Sequence, residues 1–181
     1  MLLDYDMGNK LLEIARNAID ARLANSDPPP KTIDEPLLNQ EAGCFVTIHK
    51  DGQLRGCIGN FVSQQPLYLE VAQMAVAAAT ADPRFYAMDQ KDIGNYSLDI
   101  SVLSPLVKID DIMQIEVGVH GIYLEKDYSR GVLLPQVASE QGWDRQTFIE
   151  QTCIKAGLQT DAWKSPRTTI SIFTAQVITD I

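Results

Sequence analysis

One β-hairpin constrains the fold of this chain more than any other stretch of its sequence. Two strand-like runs, residues 44–49 and 53–58, flank an Asp-Gly dipeptide at 51–52, which is typical of a two-residue hairpin turn. If the turn is that short, Cys57 lies opposite Val46 across the ribbon. Both sides of the ribbon carry apolar residues, so we expect the hairpin to be covered on both faces.

The same register assigns the polar side chains to faces. Arg55 would lie opposite Ile48, on the side of Cys57 and Cys44, while His49 would point to the other side. His49 is therefore expected to be a poor base for the Cys57 thiol. Cys44 and Cys57 would be diagonal neighbours at roughly 7–8 Å, too far apart for an easy disulfide. A turn longer by one residue would reverse both expectations.

The second strand of this hairpin carries the sequence Leu-Arg-Gly-Cys-Ile-Gly at 54–59. Gly56 and Gly59 allow the backbone to approach a ligand or another chain closely, and Arg55 supplies a positive charge that favours a thiolate at Cys57. Reactive thiols occur in such surroundings, and so do tight structural turns. The motif therefore marks a candidate site without naming a reaction.

Apolar periodicity predicts the other elements, and their order indicates the fold class. Strands and helices do not alternate regularly, which favours an α+β fold with a mainly antiparallel sheet flanked by helices. Prolines 28–30 stop the first helix and open a stiff connector to about residue 40. The predicted helices cover 6–24, 66–82 and 144–157, and the predicted strands cover 97–102, 117–125, 132–134 and 168–179, the last with a bulge near residue 172.

Composition narrows the class of partner. The chain has 181 residues, enough for one domain over 1–181, with a formal charge of −9. This charge argues against non-specific binding to nucleic acid, although Arg55, Arg84, Arg130 and Arg145 would form a basic patch if they met in space. Three cysteines do not suggest a disulfide framework, and the first ten residues do not resemble a signal peptide. We expect a cytoplasmic protein with no membrane segment.

Two further segments carry candidate functional side chains. His120, in Gly-Val-His-Gly at 118–121, would serve as a base or ligand, or as a hydrogen-bonded histidine in a hairpin. Cys57 and His120 form the one thiol–imidazole pair that we consider. Arg84 would present its fork to a carboxylate or phosphate with Phe85 as a stacking wall, or the segment would simply end a helix with Phe85 in the core.

A third segment combines Pro135, Gln136 and Trp143. These side chains would line a cleft, or they would form a loop held by a buried tryptophan. Motifs of metal and nucleotide sites, such as CxxC, HExxH, the P-loop and GxGxxG, are absent from the sequence. We therefore predict no metal and no cofactor.

Taken in order, these segments resemble the AMMECR domain family over residues 11–178. The resemblance begins with the motif at 54–59, and Asn60 departs from the small hydroxylated residue expected there. The later segments are Asp-Pro-Arg-Phe at 82–85, Ser-Val-Leu at 101–103, Gly-Val-His-Gly at 118–121, Leu-Pro-Gln-Val at 134–137, Trp143 and Lys-Ala-Gly-Leu at 155–158.

The resemblance implies an α+β fold with a larger and a smaller subdomain around a cleft. It also implies which residues gather near that cleft, namely Arg55, Gly56, Cys57, Ile58, Gly59, Arg84, Phe85, His120, Gly121, Leu134, Pro135, Gln136 and Trp143. Prokaryotic members are associated with a radical SAM enzyme and a Memo-like protein. Eukaryotic members are linked to nuclear or RNA-related roles, which an acidic chain fits poorly.

Two classes of function follow. In the first, the protein is a binding module: Arg55 and Arg84 hold an anionic group of a partner or its substrate, and Trp143 supplies a flat apolar contact. In the second, Cys57 is the nucleophile of an acyl or related group transfer, with His120 moving the proton. The first is favoured because no complete catalytic set is visible in the sequence.

Overall fold

The computed structural model describes residues 2–27 and 33–180; residues 28–32, with the three prolines of the predicted connector, lie outside the described residues. The chain divides into two compact units, unit 1 (Met1–Leu103 and Gln176–Ile181) and unit 2 (Ser104–Ala175). The helices are α1 (Tyr5–Leu23), α2 (Leu67–Thr80), α3 (Pro135–Gln141) and α4 (Arg145–Lys155). The strands are β1 (Cys44–Lys50), β2 (Gln53–Asn60), β3 (Ser97–Leu103), β4 (Val107–Ile109), β5 (Gly121–Lys126), β6 (Ser129–Leu133), β7 (Thr168–Phe173) and β8 (Ala175–Thr179).

Two four-stranded antiparallel sheets with flanking helices confirm the predicted α+β class. The sheet of unit 1 has the order β2-β1-β3-β8, and the sheet of unit 2 has the order β4-β7-β5-β6. Within the described residues, no helix is long and apolar enough to cross a membrane.

Unit 1 packs α1 and α2 on one face of its sheet. Asp4 is the N-cap of α1, because its carboxylate accepts a hydrogen bond from the backbone N–H of Met7. The inward side chains of β1 and β3 alternate and are buried in one core with the apolar faces of both helices. They are Cys44, Val46 and Ile48 from β1 and Leu98, Ile100 and Val102 from β3.

The hairpin of β1 and β2 corrects the predicted register. The turn has two residues as predicted, and Lys50 pairs with Gln53. A β-bulge then shifts the pairing by one residue, because Arg55 has no partner on β1. Cys57 therefore lies opposite Thr47, and the predicted pairing with Val46 is wrong.

The bulge also reverses the predicted faces. Cys57 shares the face of Thr47 and His49, so the expectation that His49 points away from Cys57 is wrong. Cys44 lies on the opposite, buried face, so the two cysteines are not the diagonal neighbours that we predicted. Arg55 is the extra residue of the bulge and not the partner of Ile48.

Unit 2 contains two elements that the sequence analysis did not predict, α3 and β4. α3 has Pro135 at its first turn and Gly142 in the left-handed conformation after its last, where the predicted alternative was a loop. The predicted strand over 168–179 is divided at Thr174 into β7 of one sheet and β8 of the other. Asp144 caps α4 as predicted, by accepting from the N–H of Thr147.

Candidate functional site

Cys57 is the half-exposed thiol of the three in this chain. Its Sγ accepts a hydrogen bond from the Thr47 hydroxyl at 3.3 Å, across the β1–β2 pair. Cys44 and Cys153 are buried, and burial raises the pKa of both thiols above their ordinary value. A reaction that needs an accessible thiol is therefore restricted to Cys57.

A buried carboxylate holds the backbone at Cys57. Asp82 follows α2, and its side chain is only 2% exposed. It accepts hydrogen bonds from the N–H of Cys57 at 2.8 Å and from Nε and Nη2 of Arg84 at 2.9 and 2.7 Å. The hydrogen bonds from Arg84 hold the pKa of Asp82 well below its usual range, against the opposing effect of burial.

Arg84 completes the cover over the free edge of β2. Its Nη2 donates to the carbonyl of Cys57 at 3.3 Å, so Asp82 and Arg84 together satisfy both outward backbone groups of Cys57 in place of a neighbouring strand. The guanidinium lies over the ring of Phe85, with 5.4 Å from Cζ to the ring centroid. Phe85 is half-buried and does not fill the core.

The Arg84 side chain remains available although it is held in place. It is 53% exposed, and its Nη1 has no hydrogen-bond partner among the described residues. Arg55 contacts the same loop, since its Nη2 donates to the carbonyl of Tyr86 at 2.6 Å. Arg55 is thus held against the segment 82–86, which itself carries Arg84, and both arginines lie beside Cys57.

The glycines of the motif have a packing role. A Cβ on Gly56 would lie 2.2 Å from the carbonyl oxygen of Ala78 on α2, and a Cβ on Gly59 would lie 2.3 Å from the carbonyl oxygen of Cys44. The close approach predicted for these glycines is thus an approach of the chain to itself. Ile58 packs, half-buried, against the core of unit 1.

His49 and Asp99 were missed as functional candidates because the predicted register turned His49 away. His49 Nε2 lies 2.9 Å from a carboxylate oxygen of Asp99, on the face of the sheet that carries Cys57 and Thr47. We call these four residues the polar face. The bulge at Arg55, which brings them to one face, has no clear signal in the sequence.

Asn60, the position that departs from the family pattern, contacts a second buried carboxylate. Its Nδ2 donates to Glu70 at 2.7 Å, and the Ser63 hydroxyl and Gln65 amide donate to the same group at 2.7 and 2.6 Å. Glu70 is 2% exposed and thereby fixes the segment between β2 and α2 through three neutral donors.

His120 lies in unit 2, at the end of the turn before β5. Its Nδ1 accepts a hydrogen bond from the N–H of Glu116 at 3.0 Å, so the neutral ring carries its proton on Nε2 and offers a donor there. Gly121 leaves room for the ring of Phe173, which a Cβ would meet at 2.4 Å. The pairing of Cys57 with His120 stays a prediction.

The other candidates of unit 2 belong to α3 and the residues after it. Pro135 is buried at the first position of the helix, Gln136 is half-buried beside it, and Trp143 packs half-buried against the core of unit 2. The structure thus gathers the candidates of unit 1 around the edge of β2. That the residues of unit 2 join them in one cleft remains a prediction.

Within the described part of the chain, no group of three or more His, Cys, Asp or Glu residues is arranged to hold a metal ion. The polar face and the two arginines provide a thiol, an imidazole–carboxylate pair and fixed cationic donors. Such a set can bind an anionic group or move a proton.

Comparison with known proteins identifies the family. The model of the AMMECR1 family matches residues 12–178. A protein of Methanothermobacter thermautotrophicus is 40% identical over 97% of this chain and 95% of its own length, and protein NEQ441 of Nanoarchaeum equitans is 37% identical over 92% and 97%. The crystal structure of the uncharacterized protein PH0010 from Pyrococcus horikoshii superposes with a TM-score of 0.86 at 34% identity, covering 97% of this chain and 92% of that one. On this match in sequence, length and fold, the chain belongs to the AMMECR1 family.

Proposed function

We propose that this protein is a binding module that presents Arg84 and Arg55, beside Cys57, to an anionic group of a partner enzyme or of that enzyme's substrate. The observation that carries the proposal is the fixed but half-exposed guanidinium of Arg84. Asp82 holds two of its nitrogens, and Nη1 remains for a ligand.

Preorganisation makes this arginine a better ligand group than an ordinary surface arginine. A free arginine loses side-chain entropy when it orders on a ligand, on the order of 0.5–1.5 kcal/mol for a side chain rich in rotamers. Asp82 and the Phe85 ring have already ordered Arg84, so less of that loss occurs on binding. Its planar fork suits a carboxylate or phosphate.

The partners in this proposal are a radical SAM enzyme and a Memo-like protein. This part rests on the family resemblance alone. Nucleic acid is a poor partner because the formal charge of −9 opposes binding to phosphates, except where basic residues are concentrated.

The test is a pull-down of a radical SAM enzyme and a Memo-like protein under reducing, anaerobic conditions. We compare the unmodified protein with Arg84→Gln, Arg84→Lys and the control Arg130→Gln, which removes an arginine that is 72% exposed on unit 2. Loss of a hydrogen bond to a charged group is worth about 1.5–3 kcal/mol, so Arg84→Gln should weaken capture by about tenfold or more.

Arg84→Lys keeps the charge but lacks the fork, so it should also bind more weakly, while Arg130→Gln should bind like the unmodified protein. Circular dichroism melts show whether each variant is folded at the assay temperature. Recovery of neither partner by the unmodified protein, or equal capture by Arg84→Gln, would refute the proposal.

A second candidate function is favoured by the environment of Cys57. The half-exposed thiol accepts a hydrogen bond from Thr47, as a nucleophilic sulfur would. In this alternative, Cys57 is the nucleophile of an acyl or related group transfer and His120 carries the proton. The N–H of Cys57 is bound to Asp82 and cannot stabilise an oxyanion, which leaves that task to neighbouring amides or to Arg84.

Alkylation by iodoacetamide between about pH 5 and 9, with each cysteine followed by peptide mass spectrometry, tests this alternative. Rapid labelling of Cys57 in the folded protein supports it, with Cys44 and Cys153 as buried controls that should stay unlabelled. Labelling of Cys57 only after unfolding refutes it.

A further inference from the structure

We propose that His49, oriented by Asp99, is the acid–base group that exchanges a proton with the Cys57 thiol. This inference rests on the second proposed function, the reactivity of Cys57, and replaces His120 by a residue of unit 1. It follows from the register of the sheet and from one hydrogen bond on the polar face.

The register places the groups in two adjacent rows across three strands. Thr47 on β1 pairs with Cys57 on β2 and with Asp99 on β3, so these three form one row. His49 lies two residues along β1 from Thr47, on the same face, in the next row. Diagonal neighbours of this kind are roughly 7–8 Å apart at the backbone, within reach of long side chains.

The hydrogen bond to Asp99 sets the function of each ring nitrogen. An ionised carboxylate only accepts, so Nε2 of His49 carries the proton in the 2.9 Å contact with Asp99. Nδ1 of the neutral ring is then the acceptor, as a general base requires. In His120 the assignment is the opposite, because Nδ1 accepts from the backbone N–H of Glu116.

The surroundings suit proton exchange. The side chains of His49 and Asp99 are 31% and 30% exposed, so water reaches both. All four groups of the polar face stand on strands, which hold side chains more rigidly than loops do. Of the residues beside His49 on the neighbouring strands, the ionisable ones are Asp99 on β3 and, on β2, Cys57 and the bulge residue Arg55; the direct partners, Leu54 and Ser97, do not titrate.

The proposed step moves one proton and uses no further co-reactant. As Sγ of Cys57 attacks an electrophilic carbon, the thiol proton passes to Nδ1 of His49, and the thiol hydrogen bond with Thr47 orients the sulfur. With iodoacetamide, the C–S bond forms, the C–I bond breaks, iodide leaves with the electron pair, and His49 returns the proton to solvent.

The test measures the rate of Cys57 alkylation against pH in the full chain. The variants are His49→Gln and Asp99→Asn; His120→Gln tests the competing assignment of the proton, and Glu140→Gln, at an exposed residue of α3, is the control. General bases contribute about 10²–10⁴ in enzymes, and a small unpositioned reagent should show a smaller effect than this range. We expect His49→Gln to slow labelling by about tenfold between pH 6 and 7 and to abolish the inflection that a histidine base gives to the pH–rate profile.

Asp99→Asn should slow labelling in the same pH range, because an asparagine amide can donate to Nε2 and move the ring proton to Nδ1. Glu140→Gln should leave the rate and its pH profile unchanged. A purely structural role of His49 would alter the melting temperature without removing the inflection.

The outcomes separate this inference from the function on which it rests. If unmodified Cys57 labels rapidly and His49→Gln has the same pH profile, the inference fails while the reactivity of Cys57 stands. If His120→Gln alone slows labelling, the proton belongs to His120 and the inference fails as well. If Cys57 is not labelled in the folded protein, both ideas fail together.

Discussion

Replacing Gly56 by alanine should separate α2 from β2. The new Cβ would lie 2.2 Å from the carbonyl oxygen of Ala78, whereas ordinary contacts begin near 3.4 Å. The obstacle is helix backbone, so a side-chain rotation cannot relieve it. β2 and α2 must therefore move apart by about 1 Å. Each dispersion contact between them then loses a quarter to a half of its attractive energy.

The free energy of unfolding should fall by about 2–3 kcal/mol. Overpacking of a core typically costs about 1–3 kcal/mol, and the contact at Gly56 is at the severe end because both partners are backbone. Alanine also restricts the unfolded chain, which offsets about 0.4–1 kcal/mol. For a chain of this size, the melting temperature should drop by about 4–12 °C.

Urea denaturation followed by far-ultraviolet circular dichroism measures this change. Both tryptophans, Trp143 and Trp163, lie in unit 2, so their fluorescence reports that unit separately. The matched control is Gly8→Ala on α1, where the Cβ would meet only the end of the Ile178 side chain at 3.1 Å. There alanine should be neutral or stabilise the helix by up to about 1 kcal/mol. Equal stability of Gly56→Ala and the control would refute the close approach of α2 to β2.

Three further predictions concern buried groups. Gly131→Ala should destabilise unit 2 by about 2 kcal/mol, since its Cβ would lie 2.4 Å from the Thr152 carbonyl oxygen; an unchanged tryptophan fluorescence transition in urea would contradict this. Glu70→Gln should lower the free energy of unfolding by about 2 kcal/mol, because an amide nitrogen would replace one of the two oxygens that accept from three donors. A urea midpoint equal to that of the unmodified protein would show that these hydrogen bonds do not stabilise the fold. Arg84 holds the pKa of Asp82 below the value of about 3.9 that an aspartate has in an unfolded chain. Ionised Asp82 therefore stabilises the fold above about pH 4. This stabilisation is lost as the pH falls through the lower pKa of the folded protein. The stability difference between the unmodified protein and Asp82→Asn should thus be full at pH 6 and shrink below about pH 4, and a difference independent of pH would argue against the ion pair.

The hairpin shows which parts of the fold sequence reasoning can reach. The Asp-Gly turn and the pairing of Lys50 with Gln53 follow from local chemistry. The bulge at Arg55 does not, because it depends on contacts distant in sequence. These contacts are the packing of Gly56 against α2 and the hydrogen bond from the N–H of Cys57 to Asp82. Because the pairing shifts by one residue at the bulge, the predicted register placed His49 and Cys57 on opposite faces.

In unit 2, the sequence carries weak signals for the start and end of α3 and for the break in its last strand. Pro135 and Gly142 bracket α3 in the order expected for a helix start and end, yet seven residues are too few for a clear apolar period. The phase shift between Ile172 and Phe173 did indicate an irregularity, which is a change of sheet after Phe173. Asp144 was predicted correctly because an N-cap is a local interaction.

The path of the chain makes unit 2 an insertion into unit 1. The N–H of Ser104 donates to the carbonyl of Thr174 at 2.9 Å, and the N–H of Thr174 donates to the Ser104 hydroxyl at 2.9 Å. The two ends of the inserted segment are therefore adjacent, and the strands that they interrupt, β3 and β8, are neighbours in one sheet. A segment with adjacent ends can be excised by a single joint between Leu103 and Gln176, or exchanged for another segment with adjacent ends, with little change in loop-closure entropy.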